Sequence, residues 1–178
     1  AQIRVAPQTV DLGPAGHSRL HVLTQHVAPP ILSEALDQLR TLSAEYGLSD
    51  HVWFTGWVTD EELLSYLSTA DICLDPDPSN IFNDRCTMIK MVEYMAFGKP
   101  IVAFDLPEHR VSAGDAALYA PADDVDAFAE RIARLIGDKD LRRTLGQRGR
   151  QRVLETLAWN HSTEKLLAAY DRIFAKRG

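Results

Sequence analysis

Cysteine is scarce: the 178 residues contain 2. Cys73 lies in an apolar run and Cys86 in a polar turn, without CxxC or Cys/His ligand spacing, which excludes a disulfide framework and a cysteine-based zinc site. Basic charge is also short. Lys and Arg number 19 against 25 Asp and Glu, for a net charge of −6, and no basic run offers a groove for a phosphate backbone, so nucleic acid is not an expected partner. No apolar run approaches the roughly 20 residues that a bilayer span needs. With no charged leader ahead of an apolar stretch, the chain reads as soluble, in the cytoplasm or peripheral to a membrane. The 6 histidines are scattered and no pair has ligand spacing, so no metal is expected. A Walker loop, a Gly-x-Ser-x-Gly elbow and a Cys/His nucleophile arrangement are missing as well.

What is present is a 46% apolar composition, enough for one core, and an alternation of short apolar runs with helical patterns. "HVWFTG" (51–56) reads as a strand ending at Gly56. Thr59 followed by Glu62 has capping-box spacing ahead of Leu63, Leu64 and Leu67. "DICLDP" (71–76) is the next strand. In "TMIKMVEYMAFG", Met88, Val92 and Met95 form a stripe at helical spacing with Ile89 and Ala96 beside it, and Gly98 ends the helix. "KPIVAFD" is a continuous apolar strand and "AALYAP" (116–121) a weaker one. "DDVDAFAERIARLIGD" is a helix N-capped by Asp, with Val125, Phe128, Ile132 and Leu135 along one face.

Two helices are expected to close the chain, over 139–157 and 162–176; "RRTLGQRGRQR" in the first reads as a solvated face, with some arginines available to a neighbouring domain. Upstream stand a strand, "RLHVLTQHV", and an amphipathic helix, "PPILSEALDQLRTLSAEYG". Apolar runs without strict alternation indicate strands covered on both faces, hence an α/β fold with a parallel, doubly wound, Rossmann-like sheet over residues 20–178. Residues 1–19 are hardest to read, with one candidate strand, "IRVA", in a segment expected to be either disordered or the remnant of a first strand. Trp53, Trp57 and Trp159 are expected in the core or at a domain contact.

In an open α/β sheet, ligands bind beyond the carboxyl ends of the strands. Here "DICLDP" runs into "DPSNIFNDRC" and a helix expected to start near Thr87, whose open N–H groups suit a phosphate or carboxylate. Cys86, Lys90, Glu93 and Phe97 share the face opposite the methionine stripe, and Lys90 is within pairing reach of Glu93. The same pattern also fits a plain capped turn and a solvated helix face carrying an i,i+3 pair.

Taken in order, "HVWFTG", "ADICLDP", "EYMAFGKPIV", "LPE", "YAPADD" and "AWNHSTEKLLAAYDRIF" resemble, over residues 45–178, the C-terminal, nucleotide-sugar-binding half of the group 1 family of retaining glycosyltransferases. The resemblance implies half of an architecture in which two Rossmann-like domains face each other across a cleft. Its activity would be transfer of a sugar from a nucleotide-diphosphate donor to an acceptor hydroxyl in carbohydrate biosynthesis, without metal or other cofactor. The partner it implies is an acceptor-binding N-terminal Rossmann-like domain not visible in this sequence, without which the chain would not transfer sugar.

Glu93 matches the second acid of the family's Glu, seven residues, Glu motif and would bind the donor ribose, since a carboxylate accepts two hydrogen bonds from a vicinal diol. Arg85 stands at the first acid. "NDR" followed by Thr87 resembles a subgroup whose turn reads Asn-Asp-x-Ser/Thr, so Asp84 is expected to take over the sugar contact as the catalytic carboxylate. The helix start at Thr87, with Lys90, would face the diphosphate, and the loop after Gly56 the base; Arg85 is counted among the donor-binding residues. Glu108 of "LPE" matches a loop acid near the sugar, or is a surface turn. The family's Gly-Arg turn, Lys-Gly helix start and Gly-x-Gly strand end do not appear, "LTQHVAPP" standing where the last would be. These departures favour a rival, a non-catalytic nucleotide-binding or partner-docking module that kept the fold. The intact "EYMAFGKPIV" unit favours the enzyme. In the family the closing helix crosses toward the other domain, which implies a partly uncovered stripe at Leu166, Leu167, Tyr170 and Phe174; the alternative is a stripe packed wholly on its own sheet.

Overall fold

Ile101 and Ala103 of "IVAF" enter one apolar core, while Val102 and Phe104 enter another on the opposite side of the sheet. This period of two explains a strand apolar at every position, because both faces are covered. The neighbouring run behaves alike: Cys73 joins the first core, and Ile72 and Leu74 the second.

The computed structural model describes the backbone of residues 3–8, 19–24 and 29–175, and the side chains of residues 36–175. The strands are β1 (Ile3–Gln8), β2 (Arg19–Thr24), β3 (Val52–Gly56), β4 (Cys73–Asp75), β5 (Ile101–Phe104) and β6 (Ala117–Ala120), in the order β3-β2-β1-β4-β5-β6. Pairs β2 with β3, β4 with β5, and β5 with β6 are parallel. The expected sheet is mixed at one place, where β1 runs antiparallel to both β2 and β4. The sequence between β1 and β2, residues 9–18, is shorter than the dozen or more residues that a parallel crossover requires, which accounts for the antiparallel pairing of those two strands.

The helices are α1 (Pro29–Glu45), α2 (Asp60–Thr69), α3 (Ile89–Ala96), α4 (Pro107–Ala113), α5 (Val125–Gly137), α6 (Lys139–Arg152) and α7 (Trp159–Ala175). A π turn, Val153–Leu157, ends α6 earlier than the expected 157. The caps follow the sequence signals. Thr59 and Glu62 form a reciprocal capping box, with Thr59 N–H donating to Glu62 Oε2 at 2.8 Å. Asp124 Oδ1 accepts from Ala127 N at 2.9 Å and Asp138 Oδ1 from Leu141 N at 2.8 Å. Gly98, at φ +64, closes α3 in a Schellman turn: its N–H donates to Met95 O at 2.8 Å and that of Lys99 to Tyr94 O at 3.0 Å.

Several faces differ from expectation. In α3 the buried side chains are Lys90, Met91, Tyr94 and Met95, while Ile89 is 68% exposed and Val92 half-buried. The helix is covered by α6 as well as by the sheet, so its buried arc is wider than one stripe. In α5, Phe128 and Leu135 are buried and Ile132 half-buried, but Val125 is exposed. Trp53, Trp57 and Trp159 are all exposed rather than in the core.

Arg143 and Arg148 of α6 are solvated as expected, but its other three arginines reach the ends of neighbouring helices. Arg142 Nη1 donates to Leu135 O at 2.6 Å and Ile136 O at 2.8 Å, at the end of α5. Arg150 Nη1 donates to Ala96 O at 2.8 Å, at the end of α3, and Arg152 Nη2 and Nε donate to Val111 O and Ser112 O, both at 2.8 Å, at the end of α4. Cations placed on the last carbonyls of a helix satisfy orphan acceptors and oppose the negative dipole end. Two glycines let α6 come this close: a Cβ on Gly146 would overlap the Gly98 carbonyl, and one on Gly149 would lie 2.8 Å from Met95 Cγ. Leu166, Leu167, Tyr170 and Phe174 of α7 are all exposed, so the stripe is uncovered by the described residues.

Candidate functional site

The segment from β4 to α3 begins Asp75-Pro76-Asp77-Pro78 and folds into a side-chain-pinned turn beyond the carboxyl end of β4. Asn80 Oδ1 accepts from the N–H groups of Phe82 at 3.0 Å and Asn83 at 2.9 Å, an Asx arrangement that starts a single 3-10 turn, Asn83–Arg85. Asn83 Nδ2 returns to Pro78 O at 2.8 Å. Ser79 Oγ donates to both carboxylate oxygens of Asp84 at 3.2 Å, and Ser79 N–H donates to Asp123 Oδ1 at 3.2 Å. Asp123 sits at φ 62, in the left-handed region.

Asp84 is therefore half-buried, held from within the turn, while Arg85 beside it is exposed. Thr87 Oγ1 donates to Glu108 Oε2 at 3.0 Å, which ties the end of the turn to the first turn of α4. α4 itself was not legible: "LPEHR" reads as a loop, and Glu108 lies on a helix. α3 starts two positions later than Thr87, with Met88 at the N-cap and no side chain capping it. The Met91 N–H donates to Met88 O at 3.0 Å, and of the residues at the helix start Ile89 is exposed while Met88, Lys90 and Met91 are buried. Glu93 is half-buried on α3, and Gly56 ends β3 at φ +65.

Lys90 departs most from expectation. The spacing places it on a solvent face beside Glu93, but it is 0% exposed, with Nζ 2.8 Å from Asp75 Oδ1 and 2.6 Å from Asp77 Oδ2. Only the Asp77 contact has hydrogen-bond geometry; toward Asp75 the ammonium is an ion-pair neighbour. A lysine can be buried here because carboxylates accompany it; unpaired, it would lose its charge or stay at the surface. His109, fully buried on α4, has Nδ1 2.8 Å from Phe104 O and Nε2 3.6 Å from Asp75 Oδ2. Burial pushes the Asp75 carboxyl up, and Lys90 pulls against that rise.

Asp75, Asp77 and His109 offer ligand atoms within 4.8 Å of one another, a grouping far apart in sequence that ligand spacing could not reveal. Beyond the end of β5, Arg110 forms a two-pronged pair with Asp105, Nε to Oδ1 at 2.6 Å and Nη2 to Oδ2 at 2.7 Å, and stacks 3.9 Å over the Tyr119 ring. That guanidinium holds the Asp105 carboxyl below the ordinary carboxylate range.

Residues 12–138 match the sequence model of the glycosyl transferases group 1 family. The chain belongs to that family. Among its group 1 relatives is the MMP alpha-(1->4)-mannosyltransferase of Mycolicibacterium hassiacum, 33% identical over 138 residues, covering 76% of this chain and 32% of that protein. The GDP-mannose-dependent alpha-(1-6)-phosphatidylinositol monomannoside mannosyltransferase of Mycobacterium tuberculosis is 30% identical over 136 residues, covering 74% of this chain and 35% of that one. The chain thus spans about a third of the length of these relatives. Among solved structures, sucrose-phosphate synthase from Thermosynechococcus elongatus superposes with a TM-score of 0.70 at 29% identity, over 80% of this chain and 35% of that one. The C-terminal domain of a group 1 family protein from Francisella tularensis shares the fold, with a TM-score of 0.62 at 19% identity, over 73% of this chain and 65% of that one. The Rossmann-like α/β reading and the glycosyltransferase family resemblance are both borne out by these matches. Among the described residues no helix is long and apolar enough to cross a membrane.

Proposed function

We propose that this chain is the donor-binding half of a retaining glycosyltransferase, working in the cytoplasm or at a membrane periphery, that moves a sugar from a nucleoside diphosphate to an acceptor hydroxyl. The observation that carries the reading is the position of the 76–88 turn and the start of α3, beyond the carboxyl end of β4 in a group 1 chain. As the sugar leaves, its diphosphate gathers negative charge, and fixed donors aimed at that charge lower the barrier. Backbone N–H at the start of α3, where Ile89 is exposed, is assigned as such a donor and Arg85 as a cation; the Thr87 hydroxyl, which donates to Glu108, would serve only after leaving that partner. These groups do the work that a metal would otherwise do, so the reading requires none. Glu93 is assigned to the ribose, the loop after Gly56 to the base, and Asp84, steadied by Ser79, to the sugar. Transfer itself is assigned to this half together with an acceptor-binding domain, which the uncovered α7 stripe supports.

One observation favours a second reading, a nucleotide-binding module without catalysis: Arg85 stands at the first acid and the neighbouring carboxylate of Asp84 is engaged by Ser79. Titration calorimetry with GDP, UDP and ADP tests both, GDP first because one relative is named for GDP-mannose. Binding of one nucleotide, weakened by about 1 to 3 kcal/mol in Glu93→Gln with the melting temperature nearly unchanged, is the expected result. Failure of all three to bind removes both readings. Sugar transfer by the isolated chain would contradict the need for a second domain.

A further inference from the structure

We propose that Lys90 is a positioning residue: its buried ammonium, clamped between Asp75 at the end of β4 and Asp77 just beyond it, sets the shape of the 76–88 turn and touches no phosphate. The ligand in question rests on the function proposed above, but the clamp does not.

The backbone explains why a clamp is needed. Pro76 and Pro78 flank Asp77, and neither has an N–H to donate, so the root of the turn has few backbone hydrogen bonds with which to pin itself. The pins beyond the root, from Asn80, Asn83 and Ser79, lie within the turn or reach across to Asp123. Asp77 supplies the missing tie from the root to α3, through a hydrogen bond of 2.6 Å between residues 13 apart in the chain. On the other side, Asp75 Oδ2 lies 3.6 Å from Nε2 of His109, whose Nδ1 partner, Phe104 O, belongs to β5. Lys90 thus joins β4, the turn and α3, with α4 behind them.

A phosphate role would require the opposite geometry. Lys90 is the second residue of α3, at the positive end of the helix dipole, where a cation is disfavoured unless carboxylates accompany it. Swinging the ammonium out to a ligand would leave Asp75 and Asp77 as buried carboxylates without their cation. The group is fully enclosed, and both of its short contacts are spent. Its charge acts inside the protein, as the fixed centre around which the turn is wound.

The test compares the parent chain with Lys90→Met and with the milder Asp77→Asn, by hydrogen exchange and by nucleotide titration at a temperature where each variant is folded. Positioning predicts exchange at the amides of Phe82, Asn83 and Asp84 faster by about tenfold or more in both variants, with β5 and α5 unchanged. Exchange unchanged in the turn, or raised evenly through the chain, overturns the proposal. In the titration with GDP, UDP or ADP, positioning predicts that both variants lose affinity by a similar factor, with the salt dependence of the parent. A phosphate ligand predicts that Lys90→Met alone loses affinity and salt dependence while Asp77→Asn binds as well as the parent or better, and that result also overturns the proposal. If the parent binds no nucleotide, the function proposed above fails and the exchange measurement still decides the role of Lys90. Asp77→Asn serves on its own should Lys90→Met not fold.

Discussion

Arg152 on α6 donates from Nε to the carbonyl of Ser112 on α4 at 2.8 Å, across 40 positions of sequence. Its Nη2 takes the adjacent Val111 carbonyl at 2.8 Å, so one guanidinium finishes the helix that carries Glu108 and His109. Arg152→Met, which keeps much of the stem and removes the donors, is expected to lower stability by about 1.5 to 3 kcal/mol, the range for hydrogen bonds from a charged group. Arg143→Met removes only an exposed i,i+3 pair with Asp140 at 3.1 Å and is expected to cost less than about 1 kcal/mol. Urea midpoints of the two variants check the contrast.

Gly146→Ala is expected to be among the most damaging single changes available. The added methyl would overlap the backbone oxygen of Gly98, which cannot swing aside as a side chain could. Overpacking of this kind costs about 1 to 3 kcal/mol or more and should loosen the α3–α6 contact. Gly137→Ala, with nothing within 4 Å of the new atom, is the matched control and should be neutral or slightly stabilising. Thermal melts of both variants suffice.

The cysteines should differ sharply toward an alkylating reagent. Burial pushes the Cys73 thiol up to about 12, and the thiolate is the reactive form. Cys86 is half-buried beside the turn. Iodoacetamide at neutral pH is expected to add one mass increment in the native state, on Cys86, and a second only in denaturant. Early labelling of Cys73 by peptide mass would contradict the packing described for β4.

Acid should weaken the fold through Asp105 and Glu62. Asp105 is held low by hydrogen bonds from Arg110, and Glu62 by the Thr59 N–H. A carboxyl depressed in the folded state contributes stability above its unfolded value, near 4 as a rough figure, and that contribution is lost as pH falls through the folded value. The urea midpoint of Asp105→Asn should therefore lie below that of the parent at pH 7 and converge with it in acid. A gap that widens on acidification contradicts the assignment.

The sequence speaks clearly where the rule is local. Thr59 with Glu62, Asp124 and Gly98 announce the ends of helices because each partner lies within a few residues. The turn and Glu93 could be placed from the strand, turn and helix order and the family resemblance. Lys90 could not, because helical spacing sorts charged residues to the solvent side and its carboxylate partners are brought near only by the exit of β4. α4 was hidden for a related reason: "PEHRVSA" has no apolar stripe, and its buried side chains include His109 and Ser112. Of the arginines of α6, Arg143 and Arg148 are solvated as the pattern suggests, whereas the roles of Arg142, Arg150 and Arg152 were hidden because their partners are backbone carbonyls, which no residue pattern records.

The dependence of α3, α4 and α5 on α6 has a consequence for the order in which the molecule becomes complete during synthesis. A ribosome releases the strands, the turn and Glu93 well before Arg142, Arg150 and Arg152, so the helix ends wait with open carbonyls until the chain is made through residue 152. The family match stops at residue 138, one residue short of α6. A fragment cut at that boundary would keep the residues proposed to meet the donor and lose the element that closes the helices around them. What closes the helices is thus encoded downstream of the residues proposed to meet the donor.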